Sequence, residues 1–157
     1  MSATGANPAD APLVQDREIM LSRLFEAPRP LVWSAWSDPD QIRRWWGPKG
    51  FAAGIEEFDF RPGGSWRFVM RDADGVEFPN HNLFVAIRKP ELIVMDHLAD
   101  PKFRLTVGFE QAGDRTRLTI RQLFESAHAL EIVRPLAIPG GQEMLDKLAR
   151  RLAAMGG

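Results

Sequence analysis

The chain contains no cysteine and no tyrosine, and only three of its 157 residues are histidine. Without cysteine there is no disulfide framework, no thiol nucleophile and no cysteine-based metal site. His81, His97 and His128 show no H-x-x-x-H or comparable spacing, so neither a metal nor a catalytic metal-ligand set is expected. A charge surplus of one sign is also missing: 20 basic residues stand against 21 acidic ones, for a net charge of −1. A nucleic-acid partner, which calls for a basic face, is therefore not expected. No apolar run approaches the roughly 18 residues of a membrane span. Residues 1–12, MSATGANPADAP, have neither the basic start nor the apolar middle of a secretory signal, and a cytoplasmic protein is expected. Neither a G-x-S-x-G elbow nor a phosphate-binding glycine loop occurs.

What is present is apolar and aromatic: 45% hydrophobic residues, with ten Phe and five Trp. The length fits one domain with a loose tail. Residues 1–15, broken by Gly5, Pro8 and Pro12, read as a flexible arm, and residues 16–157 as the domain. Glu18 to Phe25 reads as a strand, followed after Pro28-Arg29-Pro30 by a short helix over Leu31 to Trp36. Ser37-Asp38-Pro39 offers an N-cap with proline in the first turn of a second short helix, which carries Ile42, Trp45 and Trp46 up to Gly47-Pro48.

Strands are expected over Phe51–Phe60, Ser65–Arg71, Val76–Ile87, Glu91–Leu98, Phe103–Glu110 and Arg115–Phe124, divided by Gly-, Pro- and Asp-rich turns. Trp66, Phe68 and Met70 share one face of their strand, as do Phe103, Leu105, Val107 and Phe109 of theirs. About seven strands with one apolar face each need an apolar cover. Gln142 to Met155 supplies it, with Leu145, Leu148, Leu152 and Met155 on one stripe of a helix roughly 20 Å long. Ser126 to Arg134 reads as a separate helical piece, ended by Pro135 and by Pro139-Gly140-Gly141.

The run APRPLVWSAWSDPDQIRRWWGPKGF from Ala27 to Phe51, together with DFRPGGSWRFVM from Asp59 to Met70 and GGQEMLDKLARRL from Gly140 to Leu152, resembles a known family. It is similar to the bacterial branch named after the activator of the heat-shock-protein-90 ATPase, within the START/SRPBCC superfamily, and covers nearly everything after Asp16. The resemblance implies an α+β helix-grip fold: a curved seven-stranded antiparallel sheet around a long C-terminal helix, with two short helices after the first strand. It also implies a binding pocket between sheet and helix. Many relatives have tryptophan where this chain has Gln142. Nothing before Asp16 resembles the additional domain through which the eukaryotic co-chaperone engages its partner, so the family name is not taken as an activity.

On that basis the ligand-binding residues are expected on the concave face and the last helix. The sheet supplies Trp66, Phe68, Met70, Asn82, Phe84, His97, Leu105 and Val107; Trp46 closes one end, and Met144, Leu145 and Leu148 come from the helix. Consecutive helical positions diverge by about 100°, which makes Trp45 the core residue and Trp46 the residue at the cavity. Asp96 and His97 point to opposite faces of one strand, and which of them faces the cavity stays open. The expected function is binding of an apolar or amphipathic small molecule, lipid-like or aromatic, without cofactor or catalytic set. A polyketide cyclase- or aromatase-like enzyme is the alternative, with His97, His81, Asn82 and Asp96 as acid–base groups. A protein-interaction domain, in contact with a chaperone through an exposed patch at Trp46 or Trp36, is a further one. A homodimer stays open. The arginines at 115, 117 and 121 read as a solvated convex face.

Overall fold

The computed structural model describes residues 10–156. Its elements are strands β1 (Leu13–Gln15) and β2 (Glu18–Phe25), helices α1 (Arg29–Ser37) and α2 (Pro39–Ile42), strands β3 (Ala52–Phe58), β4 (Ser65–Arg71), β5 (Glu77–Arg88), β6 (Leu92–His97), β7 (Phe103–Ala112) and β8 (Arg115–Phe124), and helix α3 (Ala127–Gly156). All neighbours in the sheet are antiparallel, in the order β1-β2-β8-β7-β6-β5-β4-β3. β3 to β8 form a meander, and β2 returns to its open side beside β8 after the chain has passed through α1 and α2. One long helix lies across the apolar face of this sheet, which is the helix-grip arrangement.

Two expectations need correction. Among the described residues the sheet has eight strands rather than seven. The extra one is Leu13–Gln15, within the stretch read as an arm, which pairs with Glu18–Met20 across a turn where Asp16 has φ +58°. Three residues are too short to carry an alternation signal, so only the backbone pairing reveals it. The remainder of that arm, residues 1–9, lies outside the described residues.

The second correction concerns α3. It is one helix of 30 residues running through Pro135 and Pro139, not a short piece followed by a helix from Gln142. Ser126 caps its start, accepting the Ala129 N–H through Oγ at 3.0 Å. A proline inside a helix removes one N–H and frees the carbonyl four residues back. Both prolines are exposed and four residues apart, so they occupy one solvent-facing side. There the freed carbonyls meet water.

Local chemistry explains the turns that hold the site. Asp38 Oδ1 accepts the Asp40 N–H at 2.9 Å and caps α2; beyond Ile42 the chain continues in helical turns, with the Trp45 and Trp46 N–H groups both donating to Ile42 O, at 3.2 and 2.9 Å. Gly47 has φ +98°, and a Cβ there would lie 2.1 Å from the Met70 methyl. The core is continuous, from Ile19 and Phe25 through Trp33, Trp36 and Trp45 to Leu145, Leu148 and Leu152. Trp45, fully buried, donates its indole N–H to Ala35 O at 3.0 Å, tying α1 to the turn after α2.

The convex arginines are paired. Arg115 meets Glu26 at 3.4 Å, Arg121 meets Glu18 at 3.2 Å, and Arg117 meets Asp10. Among the described residues no helix is long and apolar enough to cross a membrane.

Candidate functional site

A cavity of about 270 Å³ lies between the concave sheet and the middle of α3. Its position follows from the period of the strands. In β5, Asn80 and Asn82 alternate with His81 and so face α3 together. The ladder then carries the concave row across the sheet: Trp66 of β4 stands opposite Asn82, Asn82 opposite His97 of β6, and His97 opposite Phe103 of β7. The neighbouring row joins Phe84, Met95, Leu105 and Gln122.

Of the residues expected from sequence, Trp46, Phe68, Met70, Asn82, His97, Leu105 and Met144 line this cavity. Trp66, Phe84, Val107, Leu145 and Leu148 do not; they are fully buried packing behind or beside it. Trp66 stacks on Phe68 at 4.6 Å and meets Trp46 edge-on at 4.7 Å, so two lining rings rest against it. Phe84 packs among Phe58, Phe60 and Trp66. Leu145 and Leu148 belong to the buried core where α3 packs.

Several lining residues were not expected from sequence. Leu136, Ala137, Gly140 and Gly141 come from the part of α3 that the prolines had seemed to break. The two glycines have a steric role. A Cβ at Gly141 would lie 2.5 Å from Leu21 Cδ1, and one at Gly140 would lie 3.5 Å from Pro48 Cβ. The helix therefore sits close to β2 and to the loop after α2 at this level, closing the cavity wall on that side. Lys147 reinforces the same junction, donating from Nζ to Gly47 O at 3.2 Å and Phe51 O at 3.3 Å. Burial, with the nearby Arg150 charge as a lesser cause, lowers its pKa from the ordinary lysine value.

Gln142 does not line the cavity. Its Oε1 accepts from Arg23 at 3.0 Å, and Arg23 also pairs with Asp146 at 2.6 Å, which makes this position part of a polar link between β2 and α3.

The polar lining groups are Asn80 and Asn82 of β5, His97 of β6 and Gln122 of β8. The open choice on β6 resolves in favour of His97: it lines the cavity, while Asp96 is held by Arg104 at 2.8 and 3.1 Å. His97 stacks on Phe103 with ring centroids 4.6 Å apart. Its Nδ1 lies 2.9 Å from Pro101 O and its Nε2 lies 2.7 Å from Asn80 Oδ1. Asn80 in turn donates from Nδ2 to Phe78 O at 2.9 Å. Both ring nitrogens thus meet oxygen acceptors, an arrangement complete only for the imidazolium. The neutral ring keeps Nδ1–H on the Pro101 carbonyl, and the Asn80 amide must then turn to offer its NH₂ to Nε2.

Burial is the largest influence on His97 and lowers its pKa below 6.5, with the Pro101 and Ala99 carbonyls pulling the other way. Between the lowered folded value and the ordinary one, the unfolded chain binds more protons than the folded one. Stability therefore falls as pH drops through that window. The denaturation midpoint of the wild type, measured relative to His97→Gln, is expected to decline on acidification from about pH 7 to about pH 5. A pH-independent difference between the two proteins would contradict this account.

His81 is turned the other way and lies 3.0 Å from Ser65 Oγ. Of the four acid–base groups considered from sequence, only His97 and Asn82 reach the cavity. The exposed tryptophan patch also needs correction: Trp36 is 1% exposed, enclosed by Trp45, Trp46 and Phe109, and Trp46 is half-buried against the cavity. Tryptophans spaced on two short helices are equally able to face in or out, and here the sheet takes them in.

Known structures share this architecture. A protein from Arthrobacter aurescens is 24% identical, with a TM-score of 0.87 over 93% of this chain and 92% of its own. One from Nitrosomonas europaea is 20% identical, with a TM-score of 0.81 over 88% and 95%. The AHSA1 protein from Silicibacter pomeroyi is 20% identical, with a TM-score of 0.73 over 88% and 99%. At these identities the likeness is one of fold. Among functionally curated proteins, none matches. The family model described as Activator of Hsp90 ATPase homolog 1-like protein matches residues 26–153, which span all three signature runs, and the chain belongs to that family.

Proposed function

We propose that the protein binds an apolar or amphipathic small molecule between the concave sheet and α3. One observation carries this reading: a space of about 270 Å³ between the concave sheet and α3 is left unfilled, walled mainly by apolar side chains. A cavity of about 150 Å³ lined by such groups accepts benzene. The larger space here suits a two-ring aromatic or a medium-length aliphatic group. Pockets with mostly apolar walls and a few polar groups are the usual form of small-molecule sites.

Binding is favoured over cyclase-like catalysis by the state of His97. A general acid or base needs a ring nitrogen free for the substrate. Here one nitrogen is engaged by a backbone carbonyl and the other by Asn80. Asp96 and His81, the other ionisable groups considered, are engaged away from the cavity.

Native mass spectrometry of freshly purified protein is expected to reveal a co-purifying small molecule. Met144, half-buried on α3 at the cavity wall, offers a direct test. Met144→Trp places a ring in the empty space without touching the fully buried stripe of Leu145, Leu148 and Leu152. Naphthalene titrated into the wild type is expected to shift the Trp46 indole N–H resonance. In Met144→Trp that response should weaken at least about tenfold, with the melting temperature changed by only a few degrees. Equal binding by the two proteins would sink the proposal.

A further inference from the structure

Three buried polar side-chain atoms have no partner among the described residues: the indole nitrogens of Trp36 and Trp66, and Asn82 Oδ1. All three are closed to a water-sized group, and Trp66 and Asn82 stand opposite each other on β4 and β5. None of these atoms is within a ligand's reach.

Gln122 differs. It lines the cavity and is half-buried, yet neither its Oε1 nor its Nε2 is closed off, and neither is bonded to another of the described residues. Its surroundings explain why it stays unpaired. On the concave face of β8 it lies between Ile120 and Phe124, and across the ladder it faces Leu105 and Ile19. The other polar lining groups are committed within the protein. His97 directs its nitrogens to Pro101 O and Asn80 Oδ1, Asn80 donates to Phe78 O, and Asn82 Nδ2 lies against Met95 Sδ. β7 separates them from β8, with Phe103 and Leu105 in between. Among the described residues, Gln122 is the open carboxamide on an otherwise apolar side of the cavity.

Such an amide edge offers a donor and an acceptor side by side. A hydrocarbon covering it would leave both unpaired, at a cost of about 1–3 kcal/mol for each. A group carrying N–H beside C=O answers both at once, through two parallel bonds. Charge is disfavoured for a separate reason. Among the described residues His97 is the one titratable lining group, and no Lys, Arg, Asp or Glu side chain joins it. An ionised ligand would therefore enter an apolar space without a standing counter-ion.

Resting on the binding reading above, we infer that Gln122 is the polar anchor of the site: it holds a neutral, largely apolar molecule by an amide or lactam edge. Oε1 accepts that group's N–H, and Nε2 donates to its carbonyl oxygen. Ring lactams and primary amides of aromatic or aliphatic acids fit this description. The corresponding hydrocarbons and esters leave part of the Gln122 amide unanswered, and carboxylates add an unpaired charge.

2-Quinolinone and coumarin are matched probes, with an N–H in one and a ring oxygen in the other at the same place; naphthalene has the two-ring shape without either polar group. Calorimetric titration at about pH 8, where His97 is neutral, is expected to give 2-quinolinone roughly tenfold tighter binding than coumarin. 2-Quinolinone should also move the side-chain NH₂ resonances of Gln122 downfield. In Gln122→Met, which keeps the length and removes both polar groups, the preference for 2-quinolinone should vanish while naphthalene binds at least as tightly as before. If that variant does not fold, the affinity ratio and the Gln122 resonances of the wild type still decide.

Equal affinity of the wild type for 2-quinolinone and coumarin would overturn the role of Gln122 and leave the binding reading standing. So would a preference for 2-quinolinone that survives in Gln122→Met, or Gln122 resonances that stay in place on saturation. Failure of all three probes to bind would overturn both readings together.

Discussion

Trp66→Ala is expected to lower folding stability by about 3–5 kcal/mol, the range for emptying a large aromatic site in a core. The side chain is fully buried, yet it is not part of the cavity wall. It stands behind that wall, stacked on Phe68 and in edge contact with Trp46 and Phe58. Removing it takes away the backing for two lining rings. Since a domain of this kind holds only about 5–15 kcal/mol in total, the variant should lie near the limit of folding. Urea denaturation would read the loss as a shift in midpoint with little change in slope.

Trp66→Phe supplies the contrast. The Trp66 indole N–H is buried and has no partner among the described residues, so the tryptophan already carries a penalty that phenylalanine lacks. The smaller ring leaves some space but removes the orphaned donor. Its net cost should fall under about 1.5 kcal/mol, the range for near-volume-conserving swaps. A Phe variant as unstable as the Ala variant would show that the indole nitrogen is satisfied in solution.

Gly64→Ala is the second large effect. A Cβ at this position would lie 2.0 Å from Asp59 O, and also 2.9 Å from the Asp59 carboxyl carbon. The clash is with backbone, which no rotamer change relieves. The turn cannot move freely, because it is held on three sides. Gly64 N–H donates to Arg61 O at 2.8 Å, Asp59 N–H donates to Ser65 O at 2.9 Å, and Gly63 N–H and Gly64 O pair with Phe84 at 2.8 and 2.9 Å. A loss of about 3 kcal/mol is expected, at the upper end of overpacking costs. Gly63, next to it, has φ +86° with open space around the missing Cβ, so Gly63→Ala suffers from backbone conformation alone. Its cost should be smaller, of the order of 1 kcal/mol. Reversal of that order, measured by thermal denaturation, would show that the turn relaxes away from Asp59.

Much of the architecture was legible in the residue pattern. The alternation of Trp66, Phe68 and Met70, and of Phe103, Leu105, Val107 and Phe109, fixes one apolar face whatever the neighbours are, since successive side chains in a strand point opposite ways. The ranges Glu18–Phe25, Ser65–Arg71 and Arg115–Phe124 agree with β2, β4 and β8 to the residue. The separation of Trp45 from Trp46 followed from helical geometry in the same way.

Lining and filling were not separable in this manner. Leu105 and Val107 alternate on one strand with equal hydrophobicity, yet only Leu105 borders the empty space. Met144 and Leu145 are adjacent on α3, and again only the first borders it. The difference is set by how far α3 stands off the sheet at each point along its length. That distance depends on close approaches between segments far apart in the chain, at Gly141 against Leu21 and at Gly140 against Pro48. The choice between Asp96 and His97 has the same origin: alternation says they oppose each other, and the pairing of His97 with Asn82 and Phe103 decides which is inside.

By itself, then, the sequence determined the apolar faces, the strand and helix types and the family, because these rest on local periodicity and on residue runs. The single long helix, the cavity and its polar wall were decided by tertiary structure. Pro135 and Pro139 lose their helix-breaking force only because their side of α3 meets water, and Asn82 and His97 come to one wall of the cavity only because the sheet pairs them across β5 and β6.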